Sequence, residues 1–389
     1  MAYNPIRISA IEKDQEDHER IYSHIRRAGD NLSKVLVSIK KSEDMGYSKS
    51  NTNGRYPPRL IYTSTEGILF QGDCLALMSQ MAPDSVDLVF ADPPFNLGKQ
   101  YESEAFTDAL ETEAYRSWCH TWLLELVRVL RPGGSLFLYH WPKWLIEMGH
   151  WLNSLPVLEY RSWIAMKMKS GFPIKNRLHP AHYGILYYTK KGEKYTFNVV
   201  RSKAPVCRHC GEEIRDYGGY RDKFKKFEDE GGIPWIQISD IWEDTRPARQ
   251  DKSRQLQIVE LPLHIPERII LMASNPGDIV LDVFGGSGST YHAAQLHKRR
   301  WIGCDVADVT PILQRLQTAF KLNPSQSIDA AFGKCLKPEF INRELESFLS
   351  EGQMAKVKAI EPFKDVAGSF QEYASKSRVL TDSKEGVEL

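Results

Sequence analysis

Ile279-Val280-Leu281-Asp282-Val283-Phe284-Gly285-Gly286-Ser287-Gly288-Ser289-Thr290 is an apolar run that stops at a carboxylate, turns through three glycines and opens into hydroxyl residues. An amphipathic stretch over Thr290–His297 and a second apolar run, Trp301–Asp305, follow it. Strand, glycine-rich turn, helix and strand in so short a span make one βαβ unit. Glycines at such a turn let a ligand approach the backbone closely at a helix start. Tyr291 stands where a dinucleotide-binding turn requires a third small residue, and no Gly-Lys-Ser/Thr follows, so the turn is neither that fingerprint nor a P-loop. Asp305 ends the second strand, placed to accept hydrogen bonds from ribose hydroxyls.

The same rhythm recurs upstream. Gly67–Gln71 and Val86–Ala91 read as strands flanking a helix around Cys74–Met81. A long helix from about Glu111 to Leu130 stops at Arg131-Pro132-Gly133-Gly134, and Ser135–Tyr139 is another strand. The fold class is therefore α/β with a largely parallel sheet. Around it, residues 1–58 read as a helical N-terminal extension and linker. Its helices are Asp14–Ala28 and a second after Asp30 with Leu32, Val35, Leu36 and Ile39 on one face. Residues 59–167 and 261–325 are two halves of the core. Residues 168–260, weakly periodic and broken by Gly, Pro and charge, read as an insertion. Residues 326–389 form a polar C-terminal tail with one helix near Ile341–Leu349.

A second motif, Ala91-Asp92-Pro93-Pro94-Phe95, follows directly on a strand. Ligand and catalytic residues of open α/β sheets gather at the carboxyl ends of strands. A carboxylate and a backbone carbonyl are both acceptors, so together they hold the two hydrogens of an NH2 group. Proline rings stiffen the carbonyl directions, and the phenyl ring stacks on a heterocycle carrying that amine. Two acceptors that favour a pyramidal nitrogen localise a lone pair otherwise delocalised into the ring. The competing reading is a Pro-Pro turn with Asp as an ordinary turn residue.

The chain has 389 residues, more than one compact domain needs, with 42% hydrophobic and 26% charged residues, a globular composition. No apolar stretch reaches membrane-span length, and Met1–Lys13 lacks the layout of a signal peptide, which predicts a cytoplasmic protein. The net charge of +1 hides an asymmetry: from Arg161 to Gly211 eleven Lys and Arg face one acid, Glu193. That basic block, interleaved with Trp163, Phe172, Tyr183, Tyr187, Tyr188, Tyr195 and Phe197, suits phosphates and bases. A solvated lysine-rich surface is the plainer alternative.

Six cysteines in a chain of this length are no disulfide scaffold. Cys74, Cys119, Cys304 and Cys335 read as buried free thiols, and no Pro-Cys pair marks a cysteine nucleophile. Cys207-Arg208-His209-Cys210 supplies half a zinc site, with His179 and His182 as the nearest further ligands. A turn with two thiols is the simpler reading, and no metal is assigned.

Asp-Pro-Pro-Phe together with Asp-x-Phe-x-Gly-x-Gly resembles the S-adenosylmethionine-dependent DNA amino-methyltransferases. The order, catalytic motif first and cofactor motif last, is similar to their β group. The resemblance covers about Leu69 to Asp305 and implies a Rossmann-like methyltransferase sheet with circularly permuted motif order. Residues 279–305 would supply its first two strands and 67–139 the next three. It implies that Asp92, Pro93, Pro94 and Phe95 hold and stack the target base. Phe284, Gly286 and Gly288 would line the methionine part of S-adenosyl-L-methionine, with Asp282 at the strand end. Asp305 would take the ribose hydroxyls, and Asp73, in Gln71-Gly72-Asp73-Cys74, would lie near the adenine amine. Pro132-Gly133-Gly134-Ser135-Leu136, Trp163–Lys167, Ala181–Leu186 and Pro266–Ile270 resemble further family segments. Val283, His182-Tyr183 and Glu260–Ile265 depart from the family's usual Pro, His-Glu and Gln-Lys-Pro.

The resemblance implies a site-specific enzyme acting on double-stranded DNA, with the target base flipped out of the duplex. Asp in the first motif position points to adenine N6, with cytosine N4 as the alternative. A companion restriction endonuclease and a homodimer are the further partners it leaves open. The insertion would read the DNA, and Asp240-Ile241-Trp242-Glu243-Asp244 with Arg246, Arg249 and Arg254 is either part of that face or an ordinary charged loop. Rival readings are an RNA or protein amide methyltransferase and a non-catalytic DNA-binding relative.

Overall fold

The computed structural model describes residues 56–97, 109–167, 175–176, 178, 181–203, 235–242, 261–361 and 380–381, with backbone alone at 202–203, 235–236 and 380–381. The expected helices over Asp14–Ile39, the Cys207–Cys210 pair, Phe172, and the acids and arginines from Glu243 to Arg254 lie outside the described residues.

In chain order the elements are β1 (Arg59–Thr63), β2 (Gly67–Gln71), α1 (Cys74–Met78), β3 (Val86–Ala91), α2 (Thr112–Val129), β4 (Leu130–His140) and α3 (Pro142–Asn153). Next come β5 (Leu158–Lys167), β6 (His182–Lys190), β7 (Val200–Lys203), β8 (Trp235–Gln237), β9 (Ile241–Trp242) and α4 (His264–Ala273). The chain continues with β10 (Ile279–Asp282), α5 (Ser289–Leu296), β11 (Arg300–Asp305) and α6 (Thr310–Phe320). It ends with α7 (Ala330–Gly333), α8 (Pro338–Ser350), α9 (Gln353–Lys358) and β12 (Leu380–Thr381).

Nine strands form one sheet in the order β1-β2-β11-β10-β3-β4-β6-β5-β9, and β12-β7-β8 make a small second one. Strands β2, β11, β10, β3 and β4 are parallel neighbours, while β6 runs antiparallel to both β4 and β5. The late strands β10 and β11 sit between the early strands β2 and β3, which is the permuted arrangement the motif order implies. A parallel pair needs a crossover: α5 joins β10 to β11 and α2 joins β3 to β4, while α1 lies between β2 and β3, which β11 and β10 separate.

Both faces of the central strands are covered, so they read as continuous apolar runs. Ile68, Leu69 and Phe70 of β2, Leu88–Ala91 of β3 and Val280–Leu281 of β10 are all buried. Tyr291 of α5 shows why the third small residue of a dinucleotide turn is dispensable. Its ring lies over Gly303, where a Cβ would stand 2.6 Å from the Tyr291 ring, and stacks on Trp301 at 4.8 Å. Its hydroxyl donates to the Asp282 carbonyl at 2.8 Å and accepts the Cys304 N–H at 3.1 Å. The space is cleared on the strand rather than on the helix, and the phenol ties the ends of β10 and β11 together.

Two expectations change. Strands β6 and β9 come from the stretch 168–260, so part of it belongs to the main sheet. Its periodicity is hidden because β6 is buried on both faces from Gly184 to Thr189. The interleaved aromatics likewise divide: Tyr187 is buried and stacked on Phe137 at 4.3 Å, and Tyr188 is buried and bonded to Asn153, so neither offers a face to a base. The basic block is split as well. Because β6 runs antiparallel, Lys190 lies at the end of the sheet opposite His182, roughly 25 Å away at strand spacing. There Lys190 Nζ donates to the carbonyls of Val127 and Leu130 and to Asp84, capping the end of α2.

The tail packs more than one helix: α7, α8 and α9 follow α6, and α8 and α9 lie against β1. Phe340 meets Phe70 at 5.7 Å and Arg59 pairs with Glu351. This covers the exposed edge of the sheet. Among the described residues no helix is long and apolar enough to cross a membrane.

Candidate functional site

The carboxyl ends of β2, β11, β10, β3 and β4 share one edge, and every expected site residue falls there. In register, Gln71 pairs with Asp305, Gly303 with Asp282 and Ala91 with Leu138. Asp73, Asp305 and Asp282 thus end three adjacent strands, and Asp92 follows the fourth.

Asp282 is 2% exposed and accepts the Phe284 N–H at 2.9 Å. Burial pushes its carboxyl up to about 7, against the lowering effect of bonds from Thr290 and Phe284. Asp305 accepts N–H bonds from Gly286 at 2.6 Å and Ala307 at 2.8 Å, and burial raises its pKa despite them. Asp73 caps α1 through the Ala76 N–H at 2.8 Å, and the Gly72 N–H reaches the Asp305 carbonyl at 2.8 Å.

The turn between β10 and α5 uses left-handed backbone at Gly286 (φ 51°) and Gly288 (φ 77°), which L side chains rarely adopt. At Gly288 a Cβ would also stand 2.9 Å from Ile312, whereas at Gly286 it would meet only the Phe284 carbonyl at 3.9 Å. Gly286 therefore presents bare backbone to open space beside Asp305. Acceptor carboxylates ending three strands around such a turn fit a ligand rich in O–H and N–H donors, such as the amine, ribose hydroxyls and ammonium of S-adenosylmethionine.

On the other side, Asp92 to Phe95 meet an aromatic wall. Phe95 stacks on His140 at 4.5 Å and lies 5.5 Å from Tyr139 and 5.7 Å from Tyr183. Trp141 packs edge-on against Tyr183 at 5.7 Å. Burial, and then the Asp92 carboxylate nearby, push the Tyr139 and Tyr183 phenols above their ordinary range. Asn96, at φ 55°, donates to the Leu110 carbonyl at 2.9 Å and accepts its N–H at 2.7 Å, closing the loop that leaves the motif.

Helix α2 joins the two halves. Its Trp118 and Trp122 pack edge-on against Phe284 at 6.1 and 5.1 Å, and its Tyr115 donates to the Pro94 carbonyl at 2.5 Å. Tyr115, Tyr139 and His140 are absent from the sequence expectations. Tyr115 reads as an apolar-face helix residue, and only the place of His140 at a strand's carboxyl end could have marked it.

Trp242 is buried and its strand pairs with β5, while Ile241 beside it is 63% exposed. The rim near Asp92 carries the exposed residues Lys167 and His182, which face each other across β5 and β6. Cys74, Cys119, Cys304 and Cys335 are buried free thiols, and burial pushes each of Cys119, Cys304 and Cys335 up, Cys335 to about 11. None of these three is a nucleophile. Among the described residues no cluster of His, Cys, Asp and Glu could hold a metal ion.

Residues 86–309 match the N6/N4 amino-methyltransferase family of DNA methylases. The chain is 44% identical over 291 residues to the type II methyltransferase M.BamHI of Bacillus amyloliquefaciens. That alignment takes in 75% of this chain and 66% of the relative, so the chain spans just under two thirds of that protein's length. It is 27% identical to the type II methyltransferase M.HpaI of Haemophilus parainfluenzae, over 76% of this chain and 90% of that one. It is 28% identical to the DNA adenine methyltransferase YhdJ of Escherichia coli (strain K12), over 61% and 78%. The strands from β3 to β11, the glycine turn and the Asp-Pro-Pro-Phe edge lie within the matched span, and the chain belongs to the N6/N4 DNA methylase family, enzymes that use S-adenosylmethionine.

Proposed function

We propose that the chain methylates the exocyclic N6 amine of an adenine flipped out of duplex DNA. The observation that carries this reading is the adjacency of β3 and β10, which sets Asp92 beside the glycine turn. Asp305 would accept the cofactor's ribose hydroxyls, Asp73 its adenine amine, and Phe284, Gly286 and Gly288 would line its methionine part, with Asp282 behind the turn. The bound cofactor supplies an electrophilic methyl group on a sulfonium.

The protein's own work is on the amine. With the Pro94 carbonyl engaged by Tyr115, the acceptors beside the target are the Asp92 carboxylate and the Pro93 carbonyl. Each takes one N–H, which favours a pyramidal nitrogen and a localised lone pair. As positive charge grows on nitrogen, both bonds strengthen, so they stabilise the transition state more than the bound base. Phe95 stacks on the base, and the apolar rings of Tyr139 and Tyr183 exclude water around it. A base inside a duplex cannot reach this recess, hence the flipping. Lys167 and His182 on the rim, with the insertion of residues 168–260 to which His182 belongs, are where DNA would be gripped and read. A companion endonuclease would fit a chain whose relatives are type II methyltransferases.

The same acceptor pair serves cytosine N4, so adenine rests on Asp92 alone and on the adenine methyltransferase among the relatives. Nucleoside analysis of unmethylated DNA incubated with the protein and isotopically labelled S-adenosylmethionine decides. Label in N6-methyladenine is the expected result. Label in N4-methylcytosine keeps the mechanism and overturns the choice of base, and no label in DNA overturns the proposal.

A further inference from the structure

We propose that Tyr115 and His140 are positioning residues that fix the Pro94 carbonyl, and through it the Asp92–Phe95 segment, for transfer; this rests on the function proposed above. His140 Nδ1 accepts the Trp141 N–H at 2.7 Å, so that nitrogen carries no proton. Its Nε2 lies 2.6 Å from the Tyr115 hydroxyl, which is itself 2.5 Å from the Pro94 carbonyl. One arrangement satisfies all three contacts: Nε2–H donates to the phenol oxygen, and the phenol O–H donates to the carbonyl. Tyr115 and His140 are both 0% exposed, and burial pushes the imidazole down to about 3, so it stays neutral. No solvent exchange or protonation reorders the chain near neutral pH.

The chain ends on the motif in two places. The hydrogen bond holds Pro94, and the His140 ring carries Phe95 at 4.5 Å with 25° between the planes. A histidine that merely filled the core would need neither contact. Tyr115 also lies 5.7 Å from Trp118, whose ring meets Phe284, so α2 sets the spacing between the amine acceptors and the glycine turn. Misplacement of reacting groups by about 1 Å can cost roughly 100-fold in rate. A fixed Pro94 is therefore a rate device as well as a packing detail.

The test is single-turnover methyl transfer, with rates normalised to the fraction of chain that binds S-adenosylmethionine, so that loss of folded protein is not read as loss of rate. Tyr115→Phe keeps the ring and removes the donor. Its rate constant should fall roughly 10- to 100-fold while the cofactor Kd stays within about twofold. His140→Phe should lose as much, and the double variant no more than either single, because the two act as one chain. His140→Gln, whose amide still donates to Tyr115 but no longer carries the Phe95 ring, should recover part of the rate lost in His140→Phe. A Tyr115→Phe rate within about twofold of the unaltered chain, or multiplicative losses in the double variant, would overturn the proposal. If the unaltered chain methylates no DNA, the function itself fails, and that result is distinct from an active enzyme indifferent to Tyr115.

Discussion

The Asp305 carboxylate accepts the Gly286 N–H at 2.6 Å, joining the end of β11 to the glycine turn nineteen residues earlier. The side chain shapes the turn, and under the proposed function its remaining lone pairs would accept from ribose hydroxyls. Asp305→Ala should raise the cofactor Kd by roughly 10- to 100-fold, the loss of one or two charge-assisted hydrogen bonds. Asp305→Asn, which keeps one acceptor oxygen, should lose less. Isothermal titration with S-adenosylmethionine measures both, and an unaltered Kd for Asp305→Ala would mean the acid only shapes the turn.

Asp92 follows β3, the strand paired with β10, and the proposed function gives it the target amine rather than the cofactor. Asp92→Ala should reduce methyl transfer by at least about 100-fold while cofactor affinity stays within about twofold, since the acceptor acts on the amine as charge develops. Single-turnover rates and titration on one preparation separate these two effects. Activity near that of the unaltered chain would remove Asp92 from the chemistry.

Tyr291 gives a stability prediction. Tyr291→Phe keeps the stack on Trp301 but leaves the Asp282 carbonyl and the Cys304 N–H without the hydroxyl, in a fully buried place. The expected loss is about 1–3 kcal/mol, seen in denaturant unfolding. Tyr291→Ala should cost more, about 3–5 kcal/mol, because the ring fills the space above Gly303. Equal losses from the two variants would show that the hydroxyl, not the ring, holds β10 to β11.

Lys190 separates charge that binds from charge that builds. Lys190→Met removes the cap on the Val127 and Leu130 carbonyls and should destabilise the chain by about 2–3 kcal/mol. The salt dependence of DNA binding should not change, because the ammonium points away from the Asp92 edge and releases no counterion there. A shallower salt slope would return Lys190 to the DNA-binding face.

Lys190 also marks the limit of what the sequence tells. The place of Asp92-Pro93-Pro94-Phe95 and of the glycine turn at strand ends is legible because its signal is local: an apolar run, then prolines or glycines at its end. The strand order followed, since two motifs on neighbouring strands allow few sheets. At Lys190, Tyr187 and Tyr188 the basic, aromatic stretch misleads, because a count of charges carries no direction. An antiparallel β6 sends Lys190 to the far end and turns Tyr187 and Tyr188 into the core. Tyr115 and His140 were illegible for another reason. They sit 21 and 25 residues from their partners, Pro94 and Tyr115, and only the fold closes those gaps.

Asp282 predicts how stability depends on pH. Burial raises its carboxyl in the folded chain to about 7, while the unfolded chain keeps an ordinary value near 3.9. Below about pH 4 the group is neutral in both states and folding carries no charge penalty. Between about pH 4 and 7 the folded chain holds a proton that the unfolded chain has released, so stability falls as pH rises. Above about 7 the buried carboxylate exerts its whole penalty, on the order of a few kcal/mol. Asp282→Asn is neutral at every pH and keeps an oxygen for the Phe284 N–H. Its stability relative to the unaltered chain should therefore climb from pH 5 to pH 8, as followed by denaturant unfolding without cofactor. Titrating groups remote from Asp282 are common to both chains and cancel in the difference, whereas Asp305, whose charge also raises the Asp282 carboxyl, adds in the same direction. A difference that stays flat across that range would place the Asp282 carboxyl at an ordinary pKa, ionised throughout and compensated by its bonds.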